Sequence, residues 1–518
     1  MFGKNKFEDV PLKENKEGKE EVFAPIERDS SRNSLIVLET EIPINQGERG
    51  DHVPSTEKFA NFTLDKPTLM ILEKVATAVE LRDPCLLEGL TGTAKTSSIE
   101  YLAMMTNNQC LRLNLNGQTD TTELIGKFVP NDSNLETQFQ MILKYFDRMS
   151  ESSQSIVKAA NLAGRGLTLE ESKIIAEKEG IESPEWHWKD GIIPEAMRNG
   201  YWVILDEINL AAPQVLERLN SVLERDPSIT LSEQGNVRIA ANSKANPLDE
   251  RFRIFATMNP PEYSGRTPMS PAYKNRWTSY MYVPNPGEEE YFAMGLNIVY
   301  GEQPDVEIRD VKYHGDRSEP KHESLAQIPN FRSFLAKYAK FQARLEMMAA
   351  KEVIGKDLVE PYVFTRRNVL EFFEYLETHV IIDRKQKQRI TMKDDPARLI
   401  SYGLRQYYLD QLHNDEDRQK VIDLLDAAGI GPNKFTVDFT VEGESAETSE
   451  DLDTWTKMES EHVFEIGDQV ITLDNSPDGH SGSMGKIISI DGEVMLIKYD
   501  GGCKHEVHKD YLRYEPSS

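Results

Sequence analysis

A glycine-rich segment between two patterns of regular structure constrains the fold of this chain more than any other feature. The segment GLTGTAKT, residues 89–96, follows the apolar run CLLE and precedes the helical pattern SSIEYLAMMT. A strand, a glycine-rich turn and a helix in this order surround an anion with backbone N–H groups at the helix N-terminus. We therefore predict a phosphate-binding loop and assign nucleotide contacts to nine residues: Gly89, Leu90, Thr91, Gly92, Thr93, Ala94, Lys95, Thr96 and Ser97.

Three side chains of this loop have separate predicted roles. Lys95 reaches the β- and γ-phosphate oxygens as a point charge, and the Thr96 hydroxyl ligates Mg²⁺. Ala94 stands where such loops usually carry a glycine before the lysine. We expect a right-handed backbone there, which alanine accepts at the start of a helix. The alternative interpretation of the whole segment is a glycine-rich turn that binds nothing.

Two carboxylates, Asp206 and Glu207, end a second apolar run, WVIL. Ligands of parallel α/β sheets bind at the carboxyl ends of the strands, so both side chains are expected to face the loop. Asp206 is predicted to hold magnesium through its hydration shell, and Glu207 to polarise the attacking water as general base. By itself the pattern also fits an ordinary solvated strand end. The phosphate loop upstream favours the catalytic interpretation.

A third apolar run, FATM, leads to Asn259. Its amide is predicted to hydrogen-bond the attacking water or the γ-phosphate from a neighbouring strand. The residue fits a capping asparagine before Pro260 equally well. The sequence alone leaves both interpretations open.

Composition limits the compartment and the partners. Acidic residues outnumber basic ones 87 to 60, and the resulting formal charge of −27 repels nucleic-acid backbones. Three cysteines support neither a disulfide scaffold nor a zinc ribbon. The N-terminus has no apolar leader, and no run of about 18 apolar residues occurs. We therefore expect a soluble, cytoplasmic protein without a membrane segment, with nucleic acid as a less favoured partner.

The 518 residues exceed the usual ~100 to 200 of one domain, so several folded units are expected. Apolar runs that alternate with helical patterns predict an α/β fold with a parallel sheet, and a period-two pattern near the C-terminus predicts a small barrel. The polar N-terminal region predicts a mobile arm, except for SLIVLETEI, which can pair as a strand. The predicted units are a mobile N-terminal arm (1–60), an αβα core (61–286) with a helical insert (137–183) and a hairpin (228–240), a helical domain (287–440), an acidic linker (441–462) and a small β-barrel (463–518).

Five stretches of the chain together resemble the dynein-related, midasin-like and MoxR-like branch of the AAA+ ATPases. They are GLTGTAKT, QTDTTELIGKFVP, WKDGIIPEAMRNGYWVILDEINLAAPQVLERLNSVLE, FATMNPPEYSGR and SPAYKNRW. The resemblance covers roughly residues 62–380. It implies an αβα ATPase core with a helical lid, magnesium-dependent ATP hydrolysis, and a ring, commonly a hexamer, with ATP bound between subunits.

The same resemblance implies roles for two arginines. Arg276, in KNRW, would be the arginine finger that reaches a neighbour's γ-phosphate, with Lys274 as its rival and a surface charge as the alternative. Arg367, in FTRRNVLEFF, would be the lid arginine that senses the nucleotide, with the adjacent Arg366 as the competing assignment.

The substrate is the least constrained part of the prediction. Lys127 and Phe128, in ELIGKF, follow the second predicted strand, where AAA+ rings place loops that face a central pore. They are predicted to grip a polypeptide, unless Phe128 packs inside the core. The branch implies ATP-driven remodelling of a protein partner, sometimes of von Willebrand A type. A nucleic-acid motor or restriction-type NTPase subunit, and an assembly protein with slow hydrolysis, are the competing functions. The C-terminal segment resembles SH3-like or KOW-like modules, which have many functions.

Overall fold

A computed structural model divides the chain into two compact units, with the boundary between Val441 and Glu442. In the first unit the described residues are 23–130, 142, 146–162, 167–179, 186–260, 269–356, 358 and 362–440. In the second unit they are strands between residues 469 and 515. Among these described residues, no helix combines the length and the apolar character needed to cross a bilayer.

The strands of the first unit form a five-stranded sheet, a three-stranded sheet and several two-stranded antiparallel sheets. In chain order they are β1 (Ile26–Asp29), β2 (Ser34–Val37), β3 (Thr40–Pro43), β4 (Cys85–Gly89), β5 (Cys110–Asn114), β6 (Gly126–Pro130), β7 (Trp186–Asp190), β8 (Trp202–Asp206), β9 (Ser228–Leu231), β10 (Val237–Ala240), β11 (Arg253–Met258), β12 (Ser279–Val283), β13 (Val306–Ile308), β14 (Val311–Tyr313), β15 (Ile381–Asp383) and β16 (Gln388–Ile390).

Helices connect the strands of the large sheet and are the main elements of residues 287–440. In chain order they are α1 (Lys66–Leu81), α2 (Lys95–Met105), α3 (Thr121–Ile125), α4 (Glu151–Leu162), α5 (Leu169–Glu179), α6 (Ile192–Asn199), α7 (Pro213–Glu217), α8 (Pro271–Lys274), α9 (Glu288–Tyr300), α10 (Glu323–Ala326), α11 (Phe331–Ala350), α12 (Arg366–Thr378), α13 (Pro396–Leu404) and α14 (Asp415–Ala427), with 3₁₀ turns at Thr56–Phe59, Phe146–Arg148, Ile208–Leu210 and Ser232–Gln234 and a π-helical turn at Arg405–Leu409.

The large sheet has the strand order β12-β4-β11-β8-β5, and every neighbouring pair is parallel. Its inner strands β4, β8 and β11 are apolar and buried, as expected when helices cover both faces. The prediction of a parallel α/β fold is therefore confirmed. Strand β5, in the apolar run CLRLNLN, differs from these inner strands, because it lies at an edge of the sheet and is only partly buried. The other edge, β12, escaped prediction because Tyr280 and Tyr282 leave it half exposed.

The phosphate loop lies where the strand order changes direction. From β4 the chain passes to the edge strand β5, returns through β8 and β11, and reaches β12 on the other side of β4. The carboxyl ends of β4, β8 and β11 therefore open onto one crevice. Successive residues of β4 enter different cores: Leu86 packs on one face, and Cys85 and Leu87 pack on the face that α1 and α2 cover.

The prediction of a mobile N-terminal arm over residues 1–60 was wrong for its described part, except at SLIVLETEI, where strands were expected to be possible and are present. Strands β1, β2 and β3 form an antiparallel meander. Leu35 and Ile42 are fully buried in the same core as α1. The segment SLIVLETEI supplies these apolar side chains, whereas the polar composition around it concealed that α1 offers them a surface. Residues 1–22 lie outside the described part of the chain.

Residues 287–440 form a helical domain, called the lid below, with an aromatic core. Fully buried rings at Phe334, Tyr338, Phe372 and Tyr408 hold α11, α12 and the turn after α13 together. Tyr338 and Phe372 stack with their ring centroids 4.9 Å apart. Two hairpins, β13–β14 and β15–β16, interrupt the helices at places that the helical patterns did not indicate.

Two further elements interrupt the large α/β unit. Strands β9 and β10 form an antiparallel hairpin at the position predicted for one. The described part of the predicted insert, 137–183, is helical, and α4 and α5 share a small apolar cluster that includes Val157 and Ile175. Neither the β9–β10 hairpin nor the described part of the insert contributes a strand to the parallel sheet.

The second unit contains an antiparallel sheet with the order β20-β19-β18-β17-β21. Its strands are β17 (Gln469–Thr472), β18 (Met484–Asp491), β19 (Val494–Tyr499), β20 (Lys504–His508) and β21 (Leu512–Glu515). The register of β18 against β19 shifts between Ile487 and Ser489, a bulge of the kind that increases twist. Closure into an SH3-like barrel stays a prediction, and the predicted acidic linker, 441–462, lies outside the described residues.

Candidate functional site

Lys95 begins α2, and its side chain folds back over the phosphate loop. Its Nζ donates hydrogen bonds to the carbonyl oxygens of Gly89 at 2.8 Å and Leu90 at 2.6 Å. The side chain is buried. The loop therefore holds a cation at the carboxyl end of β4, at the crevice where a phosphate would bind.

Ala94 adopts a left-handed backbone with φ of +62°, so the expectation of a right-handed backbone was wrong. Ala94 is the residue directly before α2, so the left-handed backbone lies at the point where the loop enters the helix. A Cβ atom in this region of φ and ψ costs roughly 1 to 2 kcal/mol. The phosphate loop therefore stores strain that a glycine would not store.

Gly92 brings the loop into direct contact with the lid. Its φ is +82°, and a Cβ built there would lie 2.7 Å from Cβ of Thr365. Thr365 caps α12, since its hydroxyl accepts a hydrogen bond from the Arg367 N–H. The close approach leaves room only for glycine, and it places the first residues of α12 beside the loop.

Asp206 is bound from three elements among the described residues. Its Oδ1 accepts hydrogen bonds from the Thr96 hydroxyl at 3.3 Å and from the Thr257 hydroxyl, and its Oδ2 pairs with the Arg112 guanidinium. Sequence reasoning missed Arg112 and Thr257. Arg112 was detectable as a charge inside an apolar run, and Thr257 as the residue two before Asn259, on the same face of its strand.

Glu207 and Asn259 meet at the ends of neighbouring strands. The Asn259 Nδ2 donates to Glu207 Oε1 at 2.5 Å, while Asn259 Oδ1 accepts from Lys95 Nζ at 3.3 Å. The Asn209 amide donates to the Asn259 carbonyl at 2.8 Å. Glu207 itself has a left-handed backbone, with φ of +56°, at the start of a 3₁₀ turn. The Asn259 side chain therefore bridges a lysine and a carboxylate instead of capping a turn.

The donor set at this edge of the sheet suits a nucleoside triphosphate with magnesium. Hydroxyl and carboxylate oxygens of Thr96 and Asp206 lie 3.3 Å apart, and oxygen ligands are the ones that Mg²⁺ prefers. Backbone N–H groups at the start of α2 and the Lys95 ammonium are suited to phosphates. Every residue that the sequence assigned to phosphate, magnesium or water near β4, β8 and β11 lies at this edge.

The two residues considered for the arginine-finger position, Arg276 and Lys274, have different contacts. Arg276 follows α8 and pairs with Glu224 of the same chain, and the two side chains are 38% and 57% exposed. Lys274 instead donates to Glu88 Oε2 at 2.7 Å. Neither side chain contacts the carboxylates at the end of β8 in any contact found among the described residues. Of the two, Lys274 is the one with a buried partner, since Glu88 is buried and Glu224 is exposed.

The two lid arginines also differ. Arg366 donates to Asp65 Oδ2 at 2.6 Å, and this ion pair is buried, with side chains 12% and 3% exposed. Asp65 in addition caps α1 by accepting from the Thr68 N–H. Arg367, the predicted sensor, is exposed two residues after Thr365. Arg366 is therefore used to join core and lid, and Arg367 is the accessible arginine beside the loop.

A cavity of about 300 Å³ lies between the loop and the lid. Leu90 and Thr91 line it on the loop side, and α11 and the residues before α12 line it on the other. Glu346 contributes a buried carboxyl group, which accepts a hydrogen bond from the Tyr291 hydroxyl at 2.5 Å. Burial raises the pKa of Glu346 to about 7. A glutamate on an amphipathic helix gave no signal of this in the sequence.

The antiparallel strands β6 and β7, which pair although they are distant in the sequence, present aromatic and basic side chains. Phe128 lies opposite Trp188, and Lys127 lies opposite Lys189. The rings of Phe128 and Trp188 meet edge to face with centroids 5.3 Å apart, and Phe128 is 50% exposed. The alternative that Phe128 is a core residue was wrong. This pair of strands therefore has an accessible surface with both apolar and cationic groups.

The arrangement defines a P-loop nucleoside triphosphatase: a phosphate loop after one strand of a parallel sheet, with an Asp-Glu pair and an asparagine at the ends of two others. Residues 165–277 match the family model of the AAA domain (dynein-related subfamily), a range that includes Asp206, Glu207, Asn259 and Arg276. With the sheet order and the relatives below, this match shows that the chain contains an AAA+ ATPase domain similar to those of the dynein-related branch.

Relatives of known name share parts of the chain. It is 26% identical to midasin of Dictyostelium discoideum over 41% of its length, and 28% identical to midasin of Giardia intestinalis over 43%. These matches cover 5% and 4% of the two midasins. Identity to the aerobic cobaltochelatase subunit CobS of a Sinorhizobium species is 24%, over 51% of this chain and 64% of CobS. The chain thus spans a small part of the midasins and less than two thirds of CobS.

Proposed function

We propose that this chain is a magnesium-dependent ATPase that works as a ring, with six as the expected number of subunits, and that remodels or assembles a protein partner. One observation carries the proposal. The amide of Asn259 links the phosphate-loop Lys95 to Glu207, the candidate general base. Three segments that are far apart in sequence are thereby joined into one hydrolytic unit.

The residues of this unit divide the chemistry among them. Lys95 would bind the β- and γ-phosphate oxygens of ATP in place of the loop carbonyls, because charged phosphate oxygens are the stronger acceptors. Thr96 and Asp206 would hold magnesium, which when bound would neutralise charge on the phosphates. Asn259 orients the carboxylate of Glu207, which accepts a proton from the attacking water.

Arg276 supports a ring with its active sites between subunits. An exposed ion pair contributes only about 0 to 1 kcal/mol, so Arg276 can leave Glu224 at little cost. A guanidinium at a neighbour's γ-phosphate neutralises charge in the transition state, an effect worth ~10³ to 10⁵ in rate. Within its own subunit, Arg367 is proposed to report bound nucleotide to the lid.

The exposed surface of the paired strands β6 and β7 supports the proposal of a polypeptide substrate. An exposed Phe128 beside Trp188 offers apolar contact, and Lys127 and Lys189 offer positive charge. Among the relatives, CobS is by its name a subunit of a chelatase and so acts with other proteins. We propose a protein partner for this chain as well, with a von Willebrand A-type protein as one candidate class.

Affinity capture tests the remodelling role. Glu207→Gln should bind ATP, hydrolyse it slowly and so retain its partner. The matched control is the double variant Lys95→Ala/Glu207→Gln, which lacks the phosphate contact. Proteins retained only by the single variant, and only with ATP, would support the proposal. Equal capture by both variants, or turnover stimulated by nucleic acid and by no captured protein, would contradict it.

Subunit mixing tests the ring. Arg276→Ala subunits should bind ATP and hydrolyse it poorly, and Lys95→Ala subunits should be inactive. In a mixed ring, the intact loop of the first meets the intact arginine of the second, so activity should return. A mixture that co-assembles by native mass measurement and stays inactive would overturn the role of Arg276 in trans.

A further inference from the structure

Glu88 is a buried carboxylate directly before the phosphate loop, and the mechanism above does not use it. It occupies the second-last position of β4 and is 7% exposed. Its Oε2 accepts hydrogen bonds from the Lys274 ammonium at 2.7 Å and from the Tyr280 hydroxyl at 2.8 Å. The Lys274 ammonium also lies 4.4 Å from the centroid of the Tyr280 ring. One carboxylate thus ties β4 to the segment that leads into β12.

This segment is the one that carries Arg276. Tyr273 and Trp277 anchor it from one side, because both rings are buried in the core on one face of the sheet. Lys274 anchors it to β4 through Glu88. Between these contacts, Asn275 and Arg276 are accessible. The backbone that presents Arg276 is therefore fixed by two buried rings and one ion pair.

The Lys274 ammonium is held in its charged form. Desolvation acts to lower the pKa of Lys274, but the hydrogen bonds to Glu88 and Tyr280 outweigh it and hold that pKa above its ordinary value. The buried carboxylate of Glu88 is also strongly oriented, because a charged donor and a second donor both bind it and burial limits competing hydrogen bonds to water. The position of Lys274 relative to the phosphate loop is thus well defined.

We propose that Glu88 is a positioning residue for the arginine finger: through Lys274 it fixes the Arg276 segment of a subunit to the strand that carries the phosphate loop of the same subunit. The inference rests on the proposed function in trans of Arg276. In a ring, the loop acts on one nucleotide and the finger on the next. Glu88 and Lys274 form the contact through which a shift of one subunit's loop moves the finger offered to its neighbour.

The expected effect is a loss of turnover without a loss of nucleotide affinity. A displacement of about 1 Å in a catalytic group can cost ~10²-fold in rate. Glu88→Gln and Lys274→Met should therefore lower the rate at saturating ATP by up to ~10²-fold, and the dissociation constant of a fluorescent ATP analogue should stay within about twofold of wild type. Glu80→Gln, an exposed carboxylate on α1, is the matched control and should behave as wild type.

Subunit mixing separates this role from a role in the loop itself. A Glu88→Gln subunit keeps Lys95 and has a misplaced Arg276, whereas a Lys95→Ala subunit keeps a well-placed Arg276. If Glu88 acts on the finger, mixing the two variants should restore activity, because the loop of the first meets the finger of the second. Lys274→Met should give the same rescue, which serves as a second variant if Glu88→Gln folds poorly.

The outcomes distinguish this inference from the proposed function. Rescue of Arg276→Ala by Lys95→Ala, without rescue of Glu88→Gln or Lys274→Met, would place Glu88 in its own phosphate loop and overturn the inference alone. Wild-type turnover in both variants would also overturn it. Failure of the Arg276→Ala mixture, in rings shown by mass to contain both subunits, would remove the finger in trans and the inference with it.

Discussion

The two walls of the nucleotide crevice are held in different ways. On the sheet side, Asp206 is bound by donors from α2, β5 and β11, so its position follows from the register of neighbouring strands. On the lid side, the described contacts to the core include the ion pair of Arg366 with Asp65, which joins residues 301 positions apart. The lid also packs Ile308 and Tyr313 into the apolar core of α1, so its attachment combines separate side-chain contacts with shared apolar burial. We therefore expect the chemistry to depend on the sheet and the response to nucleotide to depend on the lid.

The largest effect should come from breaking the sheet wall at Lys95. Lys95→Ala removes the loop's cation from the phosphates, and groups that neutralise γ-phosphate charge contribute ~10³ to 10⁵ in rate. Phosphate release, measured over a range of ATP concentrations, should fall on that scale. Lys385→Ala, at an exposed lysine in a lid turn, is the control and should leave turnover unchanged. Turnover of Lys95→Ala at the wild-type rate would remove the site assignment.

A smaller effect, on stability, should follow from breaking the lid wall at Asp65 and Arg366. Removing one member of a buried ion pair leaves the other charge without compensation and costs about 3 to 5 kcal/mol. Asp65→Asn and Arg366→Met should each lower the free energy of unfolding in urea, and the double variant should lose less than the sum. Strict additivity of the two losses would show that the pair does not join core and lid.

The lid wall should also depend on pH through Glu346. The pKa of its folded form is about 7, against an ordinary value of 4.5. A raised carboxyl pKa contributes stability that is full below pH 4.5 and is lost as pH rises through 7. Relative to Glu346→Gln, the wild type should therefore lose about 3 kcal/mol of unfolding free energy over this window. Glu371→Gln, at an exposed carboxylate, is the control and should keep the pH dependence of the wild type. Parallel pH curves for the wild type and Glu346→Gln would contradict a raised pKa at Glu346.

The smallest predicted effect concerns strain in the phosphate loop. Ala94→Gly relieves a left-handed Cβ atom, worth roughly 1 to 2 kcal/mol, but frees the unfolded chain by about 0.4 to 1 kcal/mol. We expect a net gain between about 0 and 1.6 kcal/mol in unfolding free energy. Ala103→Gly, in the right-handed interior of α2, should be destabilising and is the matched control. Equal losses at both positions would mean that Ala94 carries no strain.

Contiguous motifs made much of the site predictable. Lys95 and Thr96 follow a glycine-rich turn, and Asp206 and Glu207 end an apolar run, so each pair is visible without a structure. Arg112 was not predicted, because its contact with Asp206 depends on β5 lying beside β8. Thr257 was missed for the same reason. The left-handed backbone of Ala94 was also missed, since residue type alone favours the right-handed region.

Tertiary contacts also decided between alternatives that the sequence left open. Phe128 is half exposed, because β6 pairs with β7 away from the parallel sheet. Lys274 is committed to Glu88, because β12 lies beside β4. Arg366 is committed to Asp65, because α12 begins beside the N-terminus of α1. Each decision depends on a partner distant in the chain.

The sequence by itself determined the parallel α/β class, the phosphate loop and the carboxylates that face it, because periodicity and loop chemistry are local properties. Only the tertiary structure decided which arginine joins core and lid, which cation is buried, where the N-terminal meander packs and which side chains hold Asp206. The physical reason is that a charged group buried on folding must find a partner, and that partner is set by the order in which strands and helices pack.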